Sequence, residues 1–183
     1  KRVVLIEPSR HLGGLTSGGL GATDIGNKGV IGGISREFYQ RVKKHYANEA
    51  NWKYERPGQY RSGRNSEAAQ EDAMWTFEPS VAEQILRGML EEARVPVVLG
   101  ERLELNKGVE KQGVEKQGAR IVAIRMESGR RFAAARFIDA TYEGDLMKLA
   151  GVSYHVGREA NAVYDETLNG VQTRNAVHHQ LHD

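Results

Sequence analysis

A glycine-rich stretch near the start of the chain places the strictest limit on its fold. Nine of the 21 glycines lie between Gly13 and Gly33. This density excludes a regular helix or strand and predicts a loop that something approaches closely. Apolar residues are interleaved with the glycines, which favours a packed loop over a flexible linker; they are Leu12, Leu15, Leu20, Ile25, Val30 and Ile31.

A short apolar run that ends in a carboxylate comes directly before this loop. Residues 3–7 read Val-Val-Leu-Ile-Glu, and such a continuous run predicts a buried parallel strand. In a dinucleotide-binding βαβ unit, an acidic residue at the end of the second strand accepts hydrogen bonds from the ribose hydroxyls. Glu7 fits that position. The alternative is a solvated strand edge followed by an ordinary loop.

The element that should precede such a strand is not found. A dinucleotide-binding unit begins with a strand, a Gly-x-Gly-x-x-Gly turn and a helix, and the sequence contains no such fingerprint. We therefore expect a fragment that lacks its N-terminal phosphate-binding element.

Composition excludes several classes of function. The formal net charge is +2 and the charges are interspersed, whereas a nucleic-acid platform shows clustered basic residues. No apolar run approaches the length of a membrane span. The absence of cysteine excludes disulfides, thiolate catalysis, zinc–thiolate sites and a cysteinyl link to a cofactor. The compartment is not determined by these features.

Periodicity predicts two helices in the first half of the chain. The first spans about 34–48, with Ile34, Phe38, Val42 and Tyr46 on one stripe. The second begins at Phe77-Glu78-Pro79, where proline suits the first turn, and ends before Pro96. Its apolar face comprises Val81, Ile85, Leu86, Met89 and Leu90. Between the helices, the polar residues of about 50–74, with Trp52, Tyr54 and Tyr60 among them, predict an irregular excursion over the surface. A variable surface loop is favoured over an approach to a substrate site.

Short strands are predicted in the second half, at 97–99, 102–105, 120–124 and 131–138. They form a small antiparallel meander before a final strand. A tandem repeat, Gly-Val-Glu-Lys-Gln at 108–112 and again at 113–117, is expected to lengthen a hairpin tip.

A second informative stretch, Phe-Ile-Asp-Ala-Thr-Tyr-Glu-Gly-Asp-Leu-Met, spans 137–147. It predicts a strand that ends at Asp139-Ala140-Thr141 and a helix from about Asp145 to Gly151, capped by Thr141 or Asp145. Free N–H groups at that end favour an anion or a ring oxygen. The alternative is an ordinary strand-to-helix turn with an N-cap.

The order of these motifs resembles the FAD-dependent oxidoreductase family related to glutathione-reductase-type flavoproteins, and the likeness extends to about Gly170. It implies a Rossmann-like α/β FAD-binding domain over 1–150, without its first strand and glycine turn, and the start of a second, substrate-facing domain over 151–183. It also implies FAD as cofactor. The missing glycine turn is expected to weaken the hold of the fragment alone on FAD.

The resemblance assigns cofactor contacts residue by residue. It puts Glu7 on the adenosine ribose, Gly13 and Gly14 against the pyrophosphate, and Thr16, Ser17 and Gly18 near the ribityl chain or flavin. It puts the backbone of Leu103 at the adenine edge. The remaining contacts are Asp139, Ala140 and Thr141 beside the pyrophosphate, and Gly144 and Asp145 near the ribityl hydroxyls.

The histidines and one arginine are the candidates for chemistry. His155 is a candidate to take a proton while flavin takes a hydride, and Arg158 to hold a substrate carboxylate; the alternative is a strand with surface charges. His11 is a candidate for a histidyl–flavin bond, against a solvent-facing loop histidine. His178, His179, His182 and Asp183 have spacing that a metal site could use, but we predict no metal site.

Three functions remain open at this stage. The first is an FAD-dependent oxidoreductase that takes a hydride from a small organic substrate, with the fragment alone expected to be inactive. The second is a redox-neutral enzyme on a flavoprotein fold, such as a lyase or a carbohydrate-active enzyme. The third is a non-catalytic fragment that packs on a partner. We expect a small-molecule substrate and neither nucleic acid nor a membrane span.

Overall fold

The computed structural model describes residues 2–21, 24, 26–60, 71–105, 113–166 and 170. The chain divides into two compact units, Lys1–Arg102 and Leu103–Asp183. Compact units need not coincide with functional domains, so the predicted domains 1–150 and 151–183 stay predictions. No helix among the described residues is long and apolar enough to cross a membrane.

The first unit contains a parallel pair of short strands. Strand β1 (Leu5–Glu7) pairs with β2 (Val97–Leu99), with Glu7 opposite Leu99. A parallel pair needs a long crossover, which here contains helix α1 (Gly33–Tyr46) and helix α2 (Pro79–Glu92). Both predicted strands are confirmed, although β1 begins two residues later than expected. The predicted burial of the first strand is wrong: β1 is half-buried, and Val3 and Val4 are exposed.

The core of this unit is an aromatic cluster between α1 and the segment before α2. Phe38 makes edge-to-face contacts with Tyr39 and Phe77, with ring centroids 5.1 and 5.5 Å apart. Trp75 and Val42 are fully buried. The predicted apolar stripe of α1 is wrong at Ile34, which is 75% exposed, because the buried cluster meets α1 only from its second turn onward.

Two predictions about the loops need correction. Leu12 is buried, but Leu15, Leu20 and Val30 are exposed, so the glycine-rich loop is packed mainly at its start. The stretch of about 50–74 includes a short 3-10 helix (Glu49–Asn51) and returns to the core, where Ala73 is buried. Ile25 and residues 61–70 lie outside the described residues.

The second unit contains a three-stranded antiparallel meander. Its strands are β3 (Val114–Gln117), β4 (Arg120–Arg125) and β5 (Arg131–Ala133), paired in that order. The second copy of the tandem repeat therefore supplies the whole of β3 instead of a hairpin tip, and the first copy lies outside the described residues.

Two predicted strands of this unit are wrong or reduced. The strand at 102–105 is a single bridge between Leu103 and Met126. The strand at 131–138 ends at Ala133, and Ile138 is 86% exposed. Residues 134–140 have no strand partner in the described part of the chain, and without a paired ladder a β-like sequence does not form a strand.

The last α-helix of the described chain is short, α3 (Asp145–Ala150), which confirms the predicted helix, and a 3-10 helix at Asn161–Val163 follows it. Helix α3 ends at Gly151, whose φ of +77° suits a helix C-terminus. The described residues thus form a mixed α/β structure with one parallel and one antiparallel sheet.

Candidate functional site

Glu7 stands where the sequence predicts, at the carboxyl end of β1. Its Oε1 accepts the N–H of Ser9 at 2.8 Å, and its main-chain oxygen accepts the N–H of Glu101 at 3.2 Å. Among the described residues, no hydrogen bond engages its second carboxylate oxygen. The half-buried carboxylate is therefore oriented by its own turn and retains acceptor capacity.

The glycines after Glu7 are required by packing within the protein. Gly13 has a φ of +105°, and a Cβ there would lie 2.5 Å from Leu86 Cδ1 and 2.8 Å from Ser17 Oγ. A Cβ on Gly18 would lie 2.8 Å from the carbonyl oxygen of Gly14. The close approach that the glycine density predicts is thus, at these two positions, an approach of the loop to itself and to α2.

Thr16 and Ser17 lie in the same tight turn. The N–H of Thr16 donates to the Gly13 carbonyl at 3.0 Å, and the hydroxyl of Ser17 donates to the Leu12 carbonyl. The structure therefore brings five predicted residues together as one turn: Gly13, Gly14, Thr16, Ser17 and Gly18. In the sequence this turn comes shortly after Glu7.

Glu83 of α2 anchors this loop, and the sequence analysis missed it. Its Oε2 lies 2.8 Å from His11 Nδ1, and its Oε1 accepts the N–H of Leu12 at 3.2 Å. Arg87, one turn along α2, donates to the same Oε1 at 2.5 Å and to the Arg10 carbonyl at 3.2 Å. The Glu83–Arg87 spacing signals a helix ion pair, but nothing local signals the contact with the loop.

These contacts lower the pKa of Glu83 to about 2. The hydrogen bond with His11 is the largest cause, and the bonds from Arg87 and Leu12 add to it, while burial acts in the opposite direction. The His11 ring is three-quarters exposed although Nδ1 faces Glu83. This exposure agrees with the alternative of a solvent-facing loop histidine.

In the second unit, Asp139 organises the turn before α3. Its Oδ1 accepts the N–H and the hydroxyl of Thr141 at 3.0 and 2.7 Å, and its Oδ2 accepts the N–H of Met147 at 3.0 Å. The hydroxyl of Thr141 accepts the N–H of Gly144 at 3.1 Å. Asp139 therefore supplies a side-chain cap to α3, a role that the sequence analysis gave to Thr141 or Asp145.

This arrangement holds Asp139 in its charged form. Burial is the largest single influence on its pKa and raises it, but the hydrogen bonds from Thr141, Met147 and Leu146 together outweigh burial and lower the pKa. Ala140 is exposed beside it, and Gly144 takes the left-handed conformation with a φ of +67°. Asp139, Ala140, Thr141, Gly144 and Asp145 thus form one compact turn.

The other predicted residues are less constrained. Leu103 is half-buried at its bridge with Met126. His155 and Arg158 are exposed in a segment without regular secondary structure. His178, His179, His182 and Asp183 lie outside the described residues. No group of three or more His, Asp or Glu side chains in the described part of the chain is placed to hold a metal ion.

A second site is a cleft in the first unit, in the stretch for which the sequence favoured a surface loop over an approach to a substrate site. It is lined by residues from the end of α1, from 51–55 and from 74–78, and by Tyr60. We name it the aromatic cleft, after its rings Tyr46, Trp52, Tyr54, Tyr60 and Phe77. Trp52, Tyr54 and Tyr60 in a polar stretch were its only sequence signal.

Comparison with known proteins assigns the family. A family model described as FAD dependent oxidoreductase matches residues 1–182. Since this match spans nearly the whole chain, the chain belongs to the FAD-dependent oxidoreductase family, as the resemblance indicated, and the family implies FAD as cofactor. No curated protein and no solved structure matches the chain.

Proposed function

We propose that this member of the FAD-dependent oxidoreductase family forms the FAD-binding part of an enzyme that transfers a hydride from a small organic substrate to flavin. The observation that carries the proposal is the placement of Glu7. Its carboxylate ends a strand of a parallel pair, is oriented by the Ser9 N–H, and is followed at once by a glycine turn. A Rossmann-like arrangement of the cofactor domain is part of the same proposal.

The chemistry of Glu7 fits the adenosine ribose. Two vicinal hydroxyls are donors, and a carboxylate oxygen with remaining acceptor capacity can receive both. In this proposal Gly14, Thr16, Ser17 and Gly18 offer backbone to the cofactor, while Gly13 acts indirectly, by letting the turn pack on α2.

The second unit has a supporting role in this proposal. Leu103 offers backbone to the adenine edge, and the turn of Asp139, Ala140 and Thr141 lies beside the pyrophosphate, with Gly144 and Asp145 near the ribityl hydroxyls. Both carboxylate oxygens of Asp139 already accept hydrogen bonds from its own turn. This fits a residue that shapes the backbone, because a carboxylate aimed at a pyrophosphate would repel it.

FAD supplies the hydride acceptor when it is bound. This chain would hold the substrate and move protons, with His155 as the base and Arg158 as the partner of a substrate carboxylate. Both side chains lie in the exposed segment after α3, where a ligand can reach them.

The test is a titration of FAD with the chain, followed by flavin fluorescence anisotropy, for the wild type and for Glu7→Gln. We expect Glu7→Gln to bind FAD about tenfold more weakly, which corresponds to ~1.4 kcal/mol and to the loss of a charge-assisted hydrogen bond. FMN lacks the adenosine half and should bind both forms equally. Glu127→Gln, an exposed carboxylate in the turn after β4, is the charge-matched control.

Equal affinity of the wild type and Glu7→Gln for FAD would contradict the assignment of Glu7. Failure to bind FAD, both by the chain and by a form extended at its N-terminus with a strand–turn–helix element, would favour the non-catalytic alternative. Bleaching of bound flavin by an alcohol or amine under anaerobic conditions supports hydride transfer, and its absence across such a panel would favour the redox-neutral alternative.

A further inference from the structure

The aromatic cleft has the chemistry of a binding site. Trp52 stands between two tyrosine rings: its centroid is 5.2 Å from that of Tyr46 and 5.5 Å from that of Tyr60, at interplanar angles of 57° and 59°. Phe77 and the 90% exposed Tyr54 complete the aromatic lining. A concave lining rich in aromatic side chains is typical of ligand sites.

The polar atoms of the inner rings are held by the protein. The Tyr46 hydroxyl donates to Glu78 Oε2 at 2.9 Å and accepts the Glu78 N–H at 3.0 Å. The Tyr60 hydroxyl donates to Thr76 Oγ1 at 2.6 Å, and Trp52 Nε1 donates to the Tyr46 carbonyl at 2.8 Å. The rings are therefore fixed in place before a ligand binds. Because their polar atoms are engaged by the protein, a ligand contacts their carbon surfaces.

Charge in the cleft favours a cation. Two lining residues are anionic, the half-buried Glu78 and the exposed Glu55, and one, Lys53, is cationic and exposed at the rim. Of the two carboxylate oxygens of Glu78, Oε2 accepts a hydrogen bond and Oε1 accepts none from the described residues. Oε1 therefore keeps its acceptor capacity. Burial, with the Glu78 carboxylate, raises the pKa of Tyr46 to about 12, so this ring stays neutral.

We propose that the aromatic cleft binds an organic cation, an amine carrying alkyl groups. Aromatic faces attract such cations through the negative charge of their π systems, and a partly buried carboxylate adds an ion pair. The Glu78 carboxylate would repel an anionic ligand, and a neutral ligand would gain no ion pair from it.

The position of the cleft places this ligand beside the glycine-rich loop. The N–H of Phe77, a cleft residue, donates to the carbonyl of Gly21 at 2.9 Å, and a Cβ on Gly21 would lie 3.0 Å from the Phe77 carbonyl oxygen. The cleft and the end of the loop therefore share a direct backbone contact within one compact unit. Binding in the cleft needs no cofactor, so this inference does not depend on the proposed function.

The test uses choline as the cationic probe and 3,3-dimethylbutan-1-ol, its neutral carbon analogue of the same shape. Both are titrated into the cofactor-free chain, followed by isothermal titration calorimetry and by fluorescence, since Trp52 is one of only two tryptophans. We expect saturable binding of choline and at least about tenfold weaker binding of the neutral analogue.

Variants separate recognition from folding. Glu78→Gln keeps an oxygen for the Tyr46 hydroxyl but removes the charge, and should weaken choline binding about tenfold. Glu91→Gln, near the end of the helix α2 that Glu78 precedes and outside the cleft, should leave choline binding unchanged. Tyr54 is too exposed to control folding, so Tyr54→Leu should weaken choline binding about two- to fivefold and Tyr54→Phe should retain it.

Equal affinity for choline and the neutral analogue, or an affinity for choline that Glu78→Gln leaves intact, would overturn the proposal. Absence of saturable choline binding would overturn it as well. Because FAD takes no part in these titrations, their failure is distinct from a failure of the proposed function.

Discussion

Asp139 provides the sharpest test of what the turn before α3 does. The substitution is Asp139→Asn, which keeps the shape of the side chain and removes its charge. In the wild type one oxygen accepts from Thr141 and the other from the Met147 N–H. An amide has one oxygen, so in either orientation an NH₂ group faces an N–H donor and at least one hydrogen bond is lost.

The size of the effect follows from the lost contact. The bond to Met147 caps the first turn of α3, and loss of a side-chain cap costs ~0.5–2 kcal/mol. The bond is charge-assisted, which favours the upper part of that range. We therefore expect Asp139→Asn to reduce the stability of the turn by ~1–2 kcal/mol at neutral pH, equivalent to ~5–30-fold faster opening of the Met147 amide.

The measurement is amide hydrogen exchange at Met147, with urea unfolding as the global readout. Asp145→Asn is the matched control, because it also replaces an aspartate by an asparagine and removes one negative charge. Asp145 lies in the first turn of α3 and makes no side-chain hydrogen bond among the described residues. This variant should cost only the interaction with the helix dipole, ~0.3–1 kcal/mol.

The pH dependence adds a second check. The folded-state pKa of Asp139 is lowered, so its stabilising contribution is present above the unfolded-state pKa of ~3.9 and is lost as the pH falls through the lower folded-state pKa. The difference between wild type and Asp139→Asn should therefore shrink in acid. A difference that is absent at pH 7, or that stays constant into acid, would refute the assignment of Asp139 as the cap.

Two further predictions concern the first unit. Val42→Ala removes two fully buried methyl groups and should lower the free energy of unfolding in urea by ~2–3 kcal/mol. The control Val30→Ala, at a residue that is 77% exposed, should lower it by ~0.5 kcal/mol or less. Equal losses for the two variants would contradict the placement of the core. Gly13→Ala should destabilise the chain by ~1–3 kcal/mol even without FAD, through its φ of +105° and the contact with Leu86. Gly88→Ala, inside α2 with no atom within 4 Å of its Cβ, should stabilise it by ~0.5–1 kcal/mol.

Elements with local signals were predictable. Helix α2 begins at Pro79, as the proline and the apolar spacing indicate, and α3 ends at its glycine. Strand lengths were not predictable to the same degree. Residues 134–138 have a strand-like composition, but a strand also needs a neighbouring ladder, and whether one is present depends on the rest of the fold.

The candidate site shows the same division. The carboxylate of Glu7 at a strand end was predictable because strand and acidic residue are adjacent in sequence. The contact of Glu83 with His11 joins residues 72 positions apart, and no local pattern reports such a pair. Glycine density was also ambiguous, because Gly13 and Gly18 meet protein atoms, and a glycine required by packing looks the same in sequence as one required by a ligand.

The aromatic cleft shows what composition alone left undetermined about residues 50–60. Aromatic residues in a polar stretch predict a surface loop, yet Trp52 and Tyr60 each place a polar atom on a partner from another segment, Tyr46 and Thr76. These bonds satisfy the polar atoms of the rings, and the ring faces line the aromatic cleft. Phe77 lines the cleft, and its N–H donates to the carbonyl of Gly21 in the glycine-rich loop, so the cleft and the end of that loop are held together within one compact unit.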